Sequence, residues 1–236
     1  MIPLVPSDES RSRVCSNSNA GSSSTGSPCP ANSRISDHRP TGDFTSARGS
    51  RMLIVMAGLP GTGKSTVARR LSQILQAPVL DKDAIRAALF RPEDIEYSRE
   101  QDDLCIEIAL QVAAFLLRRR QNRPVILDGR TFSRSEDVTR LLDAAQAMSA
   151  QVVFIECICS EETALHRLEQ DQVTGTHPAK NRGVTLYRHL RATADPLTVP
   201  HLTVNTEEPL DDVIAACLAY LDHLSGGVTT WVGCER

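Results

Sequence analysis

Eight consecutive residues constrain this chain more than any others: Gly58, Leu59, Pro60, Gly61, Thr62, Gly63, Lys64 and Ser65 complete the pattern G-x-x-x-x-G-K-[ST]. The apolar run at 52–57 leads into the pattern, and Val67, Leu71, Ile74 and Leu75 recur after it at helical spacing. A strand, a glycine-rich turn and a helix in that order aim successive backbone amides into one hollow, where the helix amino end adds partial positive charge. Such a hollow cradles phosphates, so the chain reads as a nucleotide binder. Residues 58–66, ending with Thr66, are the candidate cofactor-binding residues. Lys64 reaches the β- and γ-phosphate oxygens of ATP, and the Ser65 hydroxyl holds Mg²⁺.

Downstream of the loop the pattern alternates. Short apolar runs at 52–57, 78–80, 125–127, 152–158 and 202–204 have the look of buried parallel strands. Helical stretches lie between them at 99–120, 135–149 and 211–224. In the first, Leu104, Ile108, Val112, Phe115 and Leu116 are expected to face inward; in the last, Val213, Ile214, Cys217, Leu218 and Leu221. Alternation of this kind gives a three-layer α/β fold with its ligands at the carboxyl ends of the strands. Arg118, Arg119 and Arg120 fall in the last turn of a helix, where they complement its dipole.

The first fifty residues are of different material. Ser, Gly, Pro, Asn and Arg crowd them, so 1–50 are expected to be a disordered leader, with the folded domain at 51–225 and a short tail at 226–236. Met52 opens the first predicted strand, which raises the expectation that the natural protein starts there. The formal net charge of −3 carries no nucleic-acid footprint, and no apolar run approaches the length of a membrane span. Seven cysteines at irregular spacings read as reduced thiols of a cytoplasmic protein, and Cys157-x-Cys159 as a packed strand rather than a metal site.

Chemistry is expected just after each strand. Asp83 and Arg86 stand three apart at a helix start, where Asp83 can take or orient the proton of an acceptor hydroxyl and Arg86 can clamp a nearby anion. Asp128 ends the third strand, placed to orient Mg²⁺-bound water, and Arg130 follows it. Between Glu169 and Pro196 a segment carrying Lys180, Arg182, Arg188 and Arg191 fits a basic lid closing over a transferring phosphate.

Taken together, 58–66, Asp83 with Arg86, the strand ending in Asp128 and the basic lid resemble the P-loop small-molecule kinases of the nucleoside-kinase-like group. Within it they are similar to adenylylsulfate-kinase-like proteins and to predicted kinases labelled AAA-family ATPases. The resemblance covers Met52 to about Leu224. It implies a P-loop NTPase fold with a parallel five-stranded sheet in the order 2-3-1-4-5, and ATP- and Mg²⁺-dependent transfer of the γ-phosphoryl group to a hydroxyl of a small molecule. Lys64, Asp83, Arg86 and Arg182 are then the catalytic candidates, with Ser65 and Asp128 at the metal. The stretch 200–209, including Asn205 and Thr206, is similar to the adenine-side loop of that family.

This chain departs from the adenylylsulfate kinases at 97–105, where Asp102 stands in place of an arginine that holds the sulfonucleotide. A carboxylate there argues against adenylylsulfate as acceptor. No N-K-x-D guanine motif occurs, and Asp128-Gly129 replaces the acidic pair of mechanical ATPases. The alternatives left are an ATPase or nucleotide-binding regulator without an acceptor, and a polynucleotide 5′-hydroxyl kinase. The expected partners are a hydroxyl-bearing small molecule, no nucleic acid, no membrane, and at most a second copy in a homodimer.

Overall fold

The computed structural model describes residues 51–119, 123–174 and 183–226. The expectations for the leader 1–50, for most of the tail and for Lys180 and Arg182 fall outside them. Five strands form one parallel sheet: β1 Arg51–Ala57, β2 Val79–Asp81, β3 Val125–Asp128, β4 Ala150–Ile158 and β5 His201–Asn205. Their order is β2-β3-β1-β4-β5. β1 is central, with Leu53 opposite Val125 on one side and Val152 on the other.

Among the described residues, seven α-helices connect or flank the strands: α1 Lys64–Leu75, α2 Lys82–Leu89, α3 Arg99–Arg119, α4 Ser135–Ala147, α5 Glu161–Thr174, α6 Val184–Thr193 and α7 Leu210–Gly226. Side chains of β1 alternate between two cores, as strand geometry requires. Met52, Ile54 and Met56 pack with Val67 and Leu71 of α1 and Val213, Ile214 and Cys217 of α7. Leu53 and Val55 pack with Ala109, Ala113 and Leu117 of α3 and Val138 and Leu141 of α4. This is the three-layer P-loop NTPase arrangement, with helices on both faces of a parallel sheet.

One expected face is wrong. α3 does not bury Leu104, Val112 and Phe115, which are 44%, 38% and 49% exposed; it buries Cys105, Ile106, Ala109, Ala113 and Leu117 instead. A one-residue offset is about a 100° rotation of a helix. The two alanines, both fully buried, let the α3 backbone come close to β1 and β3, which the bulkier stripe would prevent. The displaced stripe is partly covered by the Arg119 guanidinium, 4.8 Å from the Phe115 ring centre. Ile74 of α1 is likewise outside, at 43% exposure.

Candidate active site

The phosphate loop follows β1 directly. Gly58 has φ +123°, and a Cβ on it would lie 2.3 Å from the Cys157 carbonyl oxygen of β4. At Gly61, φ is +79° and a Cβ would meet the Ala164 carbonyl of α5 at 2.6 Å. Glycine is therefore required twice, once for conformation and once for close approach. α1 carries no acidic residue in its first turn, which leaves its amino end positive for an anion. Lys64, the first residue of α1, is 6% exposed. Its Nζ donates to the carbonyls of Gly58 at 2.8 Å and Leu59 at 2.6 Å, so the ammonium sits over the loop. Ser65 is half-buried beside it, and Thr66 is exposed.

A second device steadies the loop from behind, and sequence reasoning missed it. Arg167 of α5 donates to Thr206 Oγ1 and to the Thr206 carbonyl, each at 2.9 Å, and reaches the Gly61 carbonyl at 3.4 Å. Thr206 Oγ1 donates in turn to the Thr62 carbonyl at 2.9 Å. The loop after β1, helix α5 and the turn after β5 are thus tied at one point. The expected adenine-side residue Thr206 takes part; the arginine lies 39 positions away, beyond any local spacing rule.

Asp128 closes β3 at 1% exposure, and its Oδ1 is buried with no hydrogen-bond partner. In the sheet register it lies opposite Asp81, the last residue of β2. Asp81 caps α2, accepting from the amides of Asp83 at 2.8 Å and Ala84 at 3.3 Å. Burial, and next the charge of Asp128, push the Asp81 carboxyl above its ordinary range, while the two amide bonds hold it back. Two neighbouring carboxylates, one with an orphaned oxygen, at the strand ends beside a phosphate loop fit a hard divalent cation. Among the described residues no group of three or more His, Cys, Asp or Glu could hold a metal unaided. Mg²⁺ needs no such group, since one or two carboxylates with phosphate oxygens and water suffice.

Asp83 and Arg86 share a face of α2, as expected. Arg86 is 2% exposed and its Nη1 lies 2.5 Å from Asp83 Oδ1. Its Nη2 pairs with Asp102 of α3, and its guanidinium lies 5.1 Å from the centre of the Tyr97 ring. Lys82 joins them, 3.4 Å from Asp83 and 3.0 Å from Asp102. Burial lowers the Lys82 pKa, a shift that the Asp83 charge opposes. Asp102 is thus the partner of two buried cations.

Arg130 lies at the other side of the cavity. It makes a two-pronged contact with Asp137 of α4, at 3.2 and 2.8 Å, and lies 2.7 Å from Asp103 of α3. Burial raises the Asp103 carboxyl, but the Arg130 hydrogen bond and the charges of Arg130, Arg140 and Arg99 outweigh it and hold the pKa below the ordinary range. Of the segment expected to act as a lid, Arg188 and Arg191 of α6 both pair with Glu161 of α5, Arg188 at 3.9 Å. Arg182 lies outside the described residues. A cavity of about 280 Å³ joins these parts, lined by Lys64 and Ser65 of α1, Asp83 and Arg86 of α2, and Leu186, His189 and Leu190 of α6.

A family model described as an AAA domain matches residues 53–192, more than half of the chain. No curated protein matches it in sequence. Among solved structures, the APS kinase CysC of Mycobacterium tuberculosis in complex with AMPPNP and APS is 18% identical, with a TM-score of 0.55, covering 75% of this chain and 99% of that one. A gluconokinase from Sinorhizobium meliloti is 19% identical, TM-score 0.54, covering 76% and 95%. Chaetomium thermophilum Kti12 in complex with ADP-AlF3 is 15% identical, TM-score 0.54, covering 74% and 100%. At these identities the likeness establishes the fold, one shared by P-loop kinases.

Proposed function

We propose that this chain, which belongs to the AAA domain family, is an ATP- and Mg²⁺-dependent phosphotransferase acting on a hydroxyl of a small molecule. One observation carries the reading. One cavity is lined both by the phosphate-loop residues Lys64 and Ser65 and by the carboxylate Asp83, so donor and acceptor groups share a common space. In this reading Lys64 and the amides of the loop hold the β- and γ-phosphates, and the positive end of α1 favours their charge. Mg²⁺, held by Ser65 and Asp128, would neutralise phosphate charge as transfer proceeds. Asp81 lies beside Asp128 and supports it.

Asp83 engages the acceptor hydroxyl and takes its proton as the oxygen bonds to the γ-phosphorus and ADP leaves. Arg86, held by two carboxylates, fixes the orientation of Asp83 rather than reaching for the substrate itself. Four described cysteines, Cys105, Cys157, Cys159 and Cys217, are free thiols, which suits the cytoplasmic setting we assign. Among the described residues no helix is long and apolar enough to cross a membrane.

The test is ADP release from ATP and Mg²⁺ with a panel of hydroxyl compounds. Lys64→Ala should abolish most turnover, and Asp83→Asn should lower transfer far more than nucleotide binding. Full activity of Asp83→Asn with a genuine acceptor would sink the assignment of the base. A second reading, ATP hydrolysis without an acceptor, draws on the ion pairs that already engage Asp83; ADP release that no hydroxyl compound stimulates would favour it.

A further inference from the structure

The charges around the acceptor half of the cavity balance one another. Lys82 and Arg86 are paired with Asp83 and Asp102. Arg99 lies 3.0 Å from Glu136 and 3.7 Å from Asp137, and Arg130 is shared between Asp137 and Asp103, which Arg140 also reaches at 3.1 Å. Five cations meet five carboxylates, and the network is neutral, with Asp103, Glu136 and Arg140 standing behind the residues that line the cavity. Arg134 also lines the cavity but is exposed to solvent, and Lys64 belongs to the phosphate loop.

Apart from exposed Arg134 and Lys64 of the phosphate loop, an incoming phosphate, sulfate or carboxylate finds only cations that already have carboxylate partners. Drawing away Arg86, 2% exposed, leaves Asp83 and Asp102 with Lys82 as their one shared cation in a half-buried wall, a costly exchange. A cationic acceptor meets the same objection with the signs reversed. A hydroxyl meets neither, because it donates to a carboxylate lone pair and accepts from an N–H at once. Fixed carboxylates and guanidiniums side by side are what a set of adjacent hydroxyls can match without net charge. Tyr97, Leu186 and Leu190 add aromatic and apolar surface for the C–H face of such a molecule, and about 280 Å³ is at the small end of ligand cavities.

We infer that the acceptor is a neutral polyhydroxyl compound of monosaccharide size, a sugar or sugar alcohol, and that the paired network selects against anionic acceptors. This rests on the phosphotransferase reading above. The experiment gives the full chain ATP and Mg²⁺ with neutral pentoses, hexoses and their alcohols, with sugar acids, sugar phosphates and adenylylsulfate, and with amino sugars, and measures ADP release for each. Neutral compounds should stimulate release with kcat/KM at least tenfold above their charged counterparts. An anionic or cationic acceptor working best overturns the inference while leaving the phosphotransferase reading intact. No stimulation by any compound, with ATP binding shown by thermal shift, removes both.

Asp102→Asn supplies the second readout. It withdraws one carboxylate from Arg86 and Lys82, so the ratio of anionic to neutral kcat/KM should rise severalfold, whereas a merely structural role would lower both alike and leave the ratio unchanged. Should Asp102→Asn fail to fold, Asp137→Asn withdraws one carboxylate from Arg130 and Arg99 and is read in the same way. An unchanged ratio in a folded variant counts against the inference.

Discussion

Replacing Asp81 with Asn should make the nucleotide-free protein more stable, although the residue caps a helix at the heart of the site. Asn caps as well as Asp, so the two amide bonds at 2.8 and 3.3 Å survive the change. What disappears is a charge beside Asp128, its register neighbour on β3. Strands pair about 4.8 Å apart, and two carboxylates about 6 Å apart repel by roughly 0.7 kcal/mol in water and about 3 kcal/mol at an effective dielectric of about 20. For a half-buried pair the gain is about 1 to 2 kcal/mol, or about 2 to 8 °C in Tm for a domain of this size. The folded state of the parent holds the Asp81 proton more tightly than the unfolded state, so the parent loses stability as pH rises through that raised pKa. The Asn variant has no such loss. Its advantage should be complete at neutral pH and vanish below 3.8, where both states of the parent are protonated. Thermal melts by circular dichroism from pH 3 to 8 without Mg²⁺ measure this, and adding MgATP should raise the Tm of the parent more than that of the variant. An Asn variant that is no more stable than the parent at neutral pH would refute the opposed-carboxylate account of the metal site.

Gly58→Ala should cost about 2 to 4 kcal/mol through left-handed strain and the 2.3 Å approach to the Cys157 carbonyl, read as a lowered urea midpoint; an unchanged midpoint would mean that the loop can shift. Arg86→Met should cost about 3 kcal/mol, the low end for breaking a buried pair because Asp102 is 29% exposed, and adding Asp83→Asn should recover part of the loss. Burial pushes the Cys157 thiol up to about 12, so iodoacetamide at pH 8 should leave it unlabelled in the native protein and label it in denaturant; mass spectrometry of the peptide decides.

The donor half was legible because its chemistry is local. Eight consecutive residues specify a backbone conformation, and the flanking strand and helix follow from periodicity within one window. Asp83 and Arg86 were legible for the same reason, lying one helical turn apart. The ion pairs between α3 and α4 beside the cavity are long-range. Arg99 reaches Glu136, and Arg140 reaches Asp103, each 37 positions away across the α3–α4 contact. No spacing rule links them, because the sheet order rather than the sequence brings α3 beside α4. The inward face of α3 was misread because two of its stripes are apolar. Periodicity ranks Leu104, Val112 and Phe115 above Ala109 and Ala113 by size, whereas close approach to a sheet favours the smaller pair.

The two halves of the cavity differ in what they leave for a ligand to supply. On the phosphate-loop side Asp128 Oδ1 is buried without a partner, and α1 has no carboxylate at its amino end. Cation and phosphate together would complete that side, and neither alone would. On the acceptor side Arg86 is buried with its compensating carboxylates already in place, so the cost of burying it was met in folding rather than deferred to binding. A preorganised, neutral wall loses little freedom when it meets a neutral molecule and gains nothing from a charged one. Affinity for nucleotide should therefore depend steeply on Mg²⁺ and on salt, while affinity for the acceptor should be nearly indifferent to salt. Titrating each at low and high ionic strength separates the two behaviours, and a strongly salt-dependent acceptor affinity would show that the ion pairs open to admit it.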